Sequence, residues 1–113
     1  MLRSYRKSSL EGLTVTEVDG AGPARVRVDS ELLAAAHIMP GEHIRVVRHG
    51  GGAFECHAEP APRGSGTVSV GGLPGYQPGD RLDLHTECLL VDREALEHQP
   101  RRITVDENNR PVG

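Results

Sequence analysis

Apolar residues in this chain recur at every second position, and glycine or proline interrupts the alternation every few residues. A period of two places successive side chains on opposite faces, so such runs can bury one face only as strands. Val26 and Val28 alternate with Arg25, Arg27 and Asp29, and Leu82 and Leu84 alternate inside residues 81–91 before an apolar run at Leu89-Leu90-Val91. Residues 12–18 (Leu13, Val15, Val18), 43–48, 53–58 and 67–70 read as further strands. The 14 glycines and 8 prolines punctuate them at residues 19–24, 50–52, 63–66 and 74–80. Two stretches break the pattern. Asp29 or Ser30 can cap a helix carrying Glu31, Leu32, Leu33 and Ala36, which Pro40-Gly41 stops, and residues 92–99 form a weaker helical stretch ended by Pro100. Six or seven short strands with one or two short helices predict a mainly β fold, a small closed barrel rather than a sandwich, because closure removes exposed edges. Residues 1–100 are expected to form the domain, and 101–113 an edge strand or a disordered tail.

Composition narrows the function. A chain of 113 residues has room for one domain, with a core of Val, Leu, Ile and Ala, since aromatics are only 3%. The burial margin at this size is thin, and oligomerisation is one way to widen it. The net charge of −3, with basic residues scattered among acidic ones, argues against a nucleic-acid partner, which needs a concentrated positive face. No run approaches the roughly 18 apolar residues of a membrane span, and residues 1–10 are too polar for a signal peptide, so a cytoplasmic location is expected. Cys56 and Cys88 are expected to be reduced thiols. His37, His43, His49, His85 and His98 lack metal-ligand spacing, so no metal is expected. The glycines at 50–52 form a hairpin, not a phosphate loop, because no strand-to-helix context follows them.

The ordered landmarks of residues 1–90 carry more information. The chain opens Met1-Leu2-Arg3-Ser4, with Leu10 and Val15-Thr16 following. Val28-Asp29 precedes Leu32, Leu33, Ala35, Ala36 and Ile38; then come residues 50–54, Arg63-Gly64-Ser65, Ser69-Val70 with Gly72, and Gly79-Asp80. In this order and spacing the chain resembles the bacterial aspartate 1-decarboxylase family, the pyruvoyl enzymes that make β-alanine. The resemblance implies a six-stranded double-psi β-barrel, assembled as a homotetramer with active sites between subunits. In that family the precursor cuts itself at a Gly-Ser bond, and the serine becomes the pyruvoyl electron sink.

Counted from Val28-Asp29, the family's Gly-Ser falls on Ala24-Arg25, and no Ser, Thr or Cys occurs between Asp19 and Asp29. The family's early lysine falls on Ser9 and its histidine on Glu11. The carboxylate-binding arginine falls on Ala53, the Thr-Tyr pair on Cys56-His57, and the asparagine of its Ser-Val-Asn-Gly segment on Gly71, beside Gly72. The expectation is a barrel that is not self-processed, carries no cofactor and does not decarboxylate aspartate.

Under the family's fold, Glu11, Arg25, Cys56, His57 and Asp83 would approach one intersubunit cavity, with Glu59 a further neighbour. His57, Glu11 and Asp83 are the candidate acid–base residues. Arg25, Ser9, Cys56, Gly71 and Gly72 are candidate substrate contacts, with Arg25 suited to an anion. Plainer roles stand beside these: Arg25 and Arg27 as a solvated strand face, and His57 as a surface residue. Cys56 and His57 are adjacent on a strand and cannot both face one cavity. The expected activity is cyclisation, dehydration or hydrolysis of a small carbonyl- or carboxylate-bearing molecule in specialised biosynthesis. The alternative is a non-catalytic pseudoenzyme, a metabolite-binding, regulatory or structural subunit, whose cavity is filled by residues such as Leu73 and Tyr76 or binds a ligand without turnover.

Overall fold

The computed structural model describes residues 1–112. Its strands are β1 (Leu2–Thr14), β2 (Glu17–Asp19), β3 (Arg25–Asp29), β4 (His43–Arg48), β5 (Ala53–Ala61), β6 (Val68–Gly71), β7 (Arg81–Val91) and β8 (Arg101–Thr104). One helix, α1 (Ser30–Ala35), follows β3, and a single turn, α2 (Asp92–Ala95), follows β7. The strand order is β2-β6-β3-β5-β4-β7-β1-β8, so the short β2 and β8 flank six strands. Beyond β1 the chain runs to Thr16, whose backbone N–H donates to the Val68 carbonyl at 2.8 Å. The Val68 N–H in turn donates to Thr16 Oγ1 at 2.9 Å. These bonds tie the β1 end of the sheet to β6 and close the β-barrel of the predicted class. No described helix is long and apolar enough to cross a membrane.

The core is the inward face of that alternation: Leu10, Leu13, Val26, Val28, Ile44, Val46, Val68, Val70, Leu82 and Leu84, each at most 1% exposed. Leu32 and Leu33 of α1 close one side. Burying each such side chain stabilises the fold by about 1.5–3 kcal/mol before chain entropy is counted. Leu10 and Leu13 both face inward although three residues apart. Between them Glu11 and Gly12 stand opposite Asp83 alone, a β-bulge that resets the parity.

β1 begins ten residues earlier than the alternation suggests. Its first half is polar, and Ser8 is fully buried with its hydroxyl 2.6 Å from Thr86 Oγ1. A hydroxyl pair thus replaces the apolar contact that would have signalled a strand. α1 is shorter than expected, because His37 takes a positive φ of 56° well before Pro40. β5 continues through Pro60 to Ala61, paired in parallel with β3. β8 adds to β1 as a parallel strand with Ser8↔Arg101 and Glu11↔Thr104 in register. Val105 and Asn109 beyond it are both buried.

Candidate functional site

The bulge in β1 builds the first of two polar surfaces. Gly12 N–H donates to Asp83 Oδ1 at 2.9 Å, and the same oxygen lies 2.8 Å from His49 Nε2. His49 follows β4 at the start of the glycine turn, and its N–H bonds the Arg81 carbonyl at 2.9 Å. Asp83 is thereby held from β1 and from the β4–β5 turn at once. Beside it, Glu11 Oε2 accepts from Arg102 Nε at 2.6 Å and from Ser9 Oγ at 2.8 Å. The Arg102 guanidinium, with the Ser9 hydroxyl, holds the Glu11 carboxyl below the usual carboxylate range against the opposing effect of burial. Glu11 is an ionised anchor for Arg102, not a base tuned to neutral pH. Ser9 is buried and committed to Glu11.

The second surface is a groove of about 520 Å³ lined by Arg25, His57 and Glu59, with Pro23, Ala24 and Gly41 on its walls. Arg25 enters it from β3, but its Nη2 is already paired with Asp19 Oδ2 at 3.0 Å. Asp19 Oδ1 also accepts the Ala21 N–H at 3.0 Å, so one carboxylate secures both the turn and the guanidinium. His57 is exposed on β5, its ring 6.0 Å from that of His43 and nearly perpendicular to it. Leu73 and Tyr76 do not fill this groove. Both pack against the core, Tyr76 edge-on to Phe54 with Arg48 stacked over its ring.

The structure therefore divides the residues expected at one cavity. Within one chain Ser9, Glu11 and Asp83 form one cluster, and Arg25, His57 and Glu59 another. Cys56 joins neither. Its side chain points into the core with 8% exposure, because strand alternation that turns His57 outward turns Cys56 inward. Burial pushes the thiol up to about 11, so it is a poor nucleophile and not a ligand contact. Alkylation of Cys56 by iodoacetamide at pH 8 should run about a hundredfold slower than that of a free thiol, whose pKa is near 8.5; peptide mapping after timed quenching reads the rate.

Gly71 and Gly72 have structural work. Gly71 pairs with Arg25, and a Cβ there would lie 2.8 Å from Arg25 Nε, so the missing side chain makes room for the guanidinium. Gly72 has φ +71°, and a Cβ would meet the Pro23 carbonyl oxygen at 2.3 Å. It is glycine because the 22–23 turn lies against its backbone.

The family model described as aspartate decarboxylase matches residues 1–112. The chain belongs to the aspartate decarboxylase family. An aspartate 1-decarboxylase of Heliobacterium modesticaldum is 37% identical over 99% of this chain and 87% of its own length. One from Moorella thermoacetica is 39% identical over 97% of this chain and 88% of its own length. In the turn before β3 and in β3 up to Val28, residues 20–28 of this chain hold no hydroxyl or thiol. The flanking hydroxyls are placed elsewhere: Thr16 Oγ1 bonds Val68, and Ser30 is the first residue of α1.

His49 and Arg102 are the site residues that sequence reasoning passes over. His49 adjoins a glycine turn with no motif around it. Arg102 lies in a polar tail, and only the parallel pairing of β8 with β1 brings it to Glu11.

Proposed function

We propose that this chain is an unprocessed member of its family that carries out side-chain acid–base chemistry on a small carbonyl- or carboxylate-bearing molecule. The pyruvoyl group of the resembled enzymes does not fit these residues. Forming it requires a hydroxyl or thiol at the position of Arg25, where a guanidinium held by Asp19 stands instead. Without that nucleophile there is no N-to-O acyl shift and no ester to eliminate.

The observation that carries the acid–base reading is the Asp83–His49 pair. Asp83 accepts the Nε2–H of His49 at 2.8 Å and is itself held by Gly12 N–H. An imidazole oriented through one nitrogen leaves Nδ1 to take a proton from a substrate carbon or hydroxyl and to return it to a leaving group. Arg25 supplies positive charge for a carboxylate or a developing oxyanion. Cyclisation, dehydration and hydrolysis all suit this set. The groove and the His49 cluster occupy two surfaces of one chain, as a site completed between subunits of a homotetramer would require. The open groove favours a protein that binds a ligand, with or without turnover, over one whose cavity is filled by its own side chains.

Mass spectrometry of the purified protein under denaturing conditions should show one species at 12.2 kDa, and incubation with aspartate should release no β-alanine. Within a panel of small oxo- and hydroxy-acids, any turnover should fall by at least about a hundredfold in His49→Gln. Two fragments, one bearing an N-terminal pyruvoyl group, would overturn the proposal, as would turnover indifferent to His49.

A further inference from the structure

On the outer face of the barrel, β1, β4, β5 and β7 enclose a small cavity of about 110 Å³ that the acid–base reading does not use. Its walls are Arg6, His43, Arg45, Glu55, His85 and Glu87. Arg45 and His85 are register partners across β4 and β7, and Arg6 stands opposite Glu87 on β1. Among the described residues neither guanidinium makes a salt bridge or a side-chain hydrogen bond, whereas most arginines of this chain do. The Nδ1 of His85 is buried without a hydrogen-bond partner, which is costly for a polar atom unless something completes it. Two carboxylates line it as well, each with a partner other than the arginines: Glu55 with His43, itself a lining residue, at 3.0 Å, and Glu87 with Ser4 Oγ at 2.7 Å.

We propose that this cavity is a binding site for a small oxyanion, a phosphate or carboxylate group, held between Arg6 and Arg45 and reached by the imidazole of His85. Two guanidiniums present planar forks of N–H donors matched to such oxygens. His85 titrates low because burial, and next the charge of Arg6, disfavour the imidazolium, with Arg45 adding to this and Asp83 and Glu11 opposing it. An anion seated between the arginines offsets their charge at the imidazole, so its binding and protonation of His85 favour each other. His43 connects this cavity to the groove through its edge contact with His57. The site nevertheless stands independently of any catalytic role for His49.

The test is a titration of the full chain, in its native assembly, with inorganic phosphate and separately with acetate, followed by calorimetry and by imidazole NMR. The expected result is saturable binding of at least one anion, with the His85 titration moving to higher pH as it binds. Arg6→Gln and Arg45→Gln should each weaken binding by about tenfold, while Arg93→Gln, on the exposed turn α2, should not. Tighter phosphate binding would identify a phosphoryl-bearing ligand, and tighter acetate binding a carboxylate. The absence of saturable binding by either anion, or binding unchanged in both arginine variants, would overturn the proposal.

Discussion

Asp29→Ala is expected to lower the unfolding free energy by about 4 kcal/mol. Asp29 is 1% exposed and serves as the N-cap of α1, its Oδ1 accepting the Glu31 N–H at 2.9 Å. The same oxygen takes the Gly64 N–H, and Oδ2 takes the Gly66 N–H, each at 2.9 Å. Arg110 stands 3.8 Å from Oδ2. One carboxylate thus pins the start of the helix, the 63–66 turn and the C-terminal segment together. Alanine leaves three donors unsatisfied, at roughly 1–3 kcal/mol for each one that water cannot reach. For a domain of this size the loss corresponds to a Tm decrease of about 15 °C, which calorimetry would show.

The pH dependence has a definite sign. Burial opposes ionisation of Asp29, but the N–H donors of Gly66, Glu31 and Gly64, with Arg110, outweigh it, and the folded-state pKa lies below 3.8. A depressed carboxylate contributes stability that is complete above its unfolded pKa and is lost as pH falls through the folded value. The wild type should therefore lose this contribution between about pH 4 and more acidic conditions, and Asp29→Ala should lack that part of the acid response. Equal acid sensitivity of the two proteins would contradict the assignment.

Asn109→Ala is expected to cost about 3 kcal/mol by urea unfolding. The Asn109 side chain is 1% exposed and bridges the barrel end. Its Oδ1 accepts the Thr14 N–H at 2.8 Å, while Nδ2 donates to the carbonyls of Thr14 and Gly66 at 2.9 and 2.8 Å. Its φ of 59° lies in the left-handed region, where asparagine is tolerated and alanine is strained by roughly 1 kcal/mol. Asn109→Gly should accordingly be the milder variant, by about that amount, since it relieves the backbone but not the lost bonds. Alanine and glycine variants equally destabilised would show that the strain contribution is absent. This latch also holds the segment following β8, which keeps Arg102 against Glu11.

The contrast between Asp29 and Asn109 shows where sequence reading succeeds. Asp29 is recognisable, because an acidic residue before Leu32 and Leu33 with Glu31 in the first turn satisfies a local capping rule. Asn109 follows no local rule. Its partners, Thr14 and Gly66, are 95 and 43 residues away, and nothing in residues 101–112 distinguishes a latch from a loose tail. The early half of β1 was similarly concealed, because buried Ser8 and Thr86 satisfy each other instead of presenting apolar alternation.

For the site, the residue sequence alone determined two things: a barrel, because strand period and turn residues are local properties of the backbone, and a turn before β3 without a hydroxyl or thiol, because the absence of an atom type needs no fold to establish it. Which groups meet was decided only by tertiary structure. His49 reaches Asp83, and Arg102 reaches Glu11, through strand register and a one-residue bulge. Strand parity puts Cys56 in the core and His57 in the groove. Long-range pairing sets these contacts through the summed packing of the whole barrel, a quantity that no short window of sequence contains.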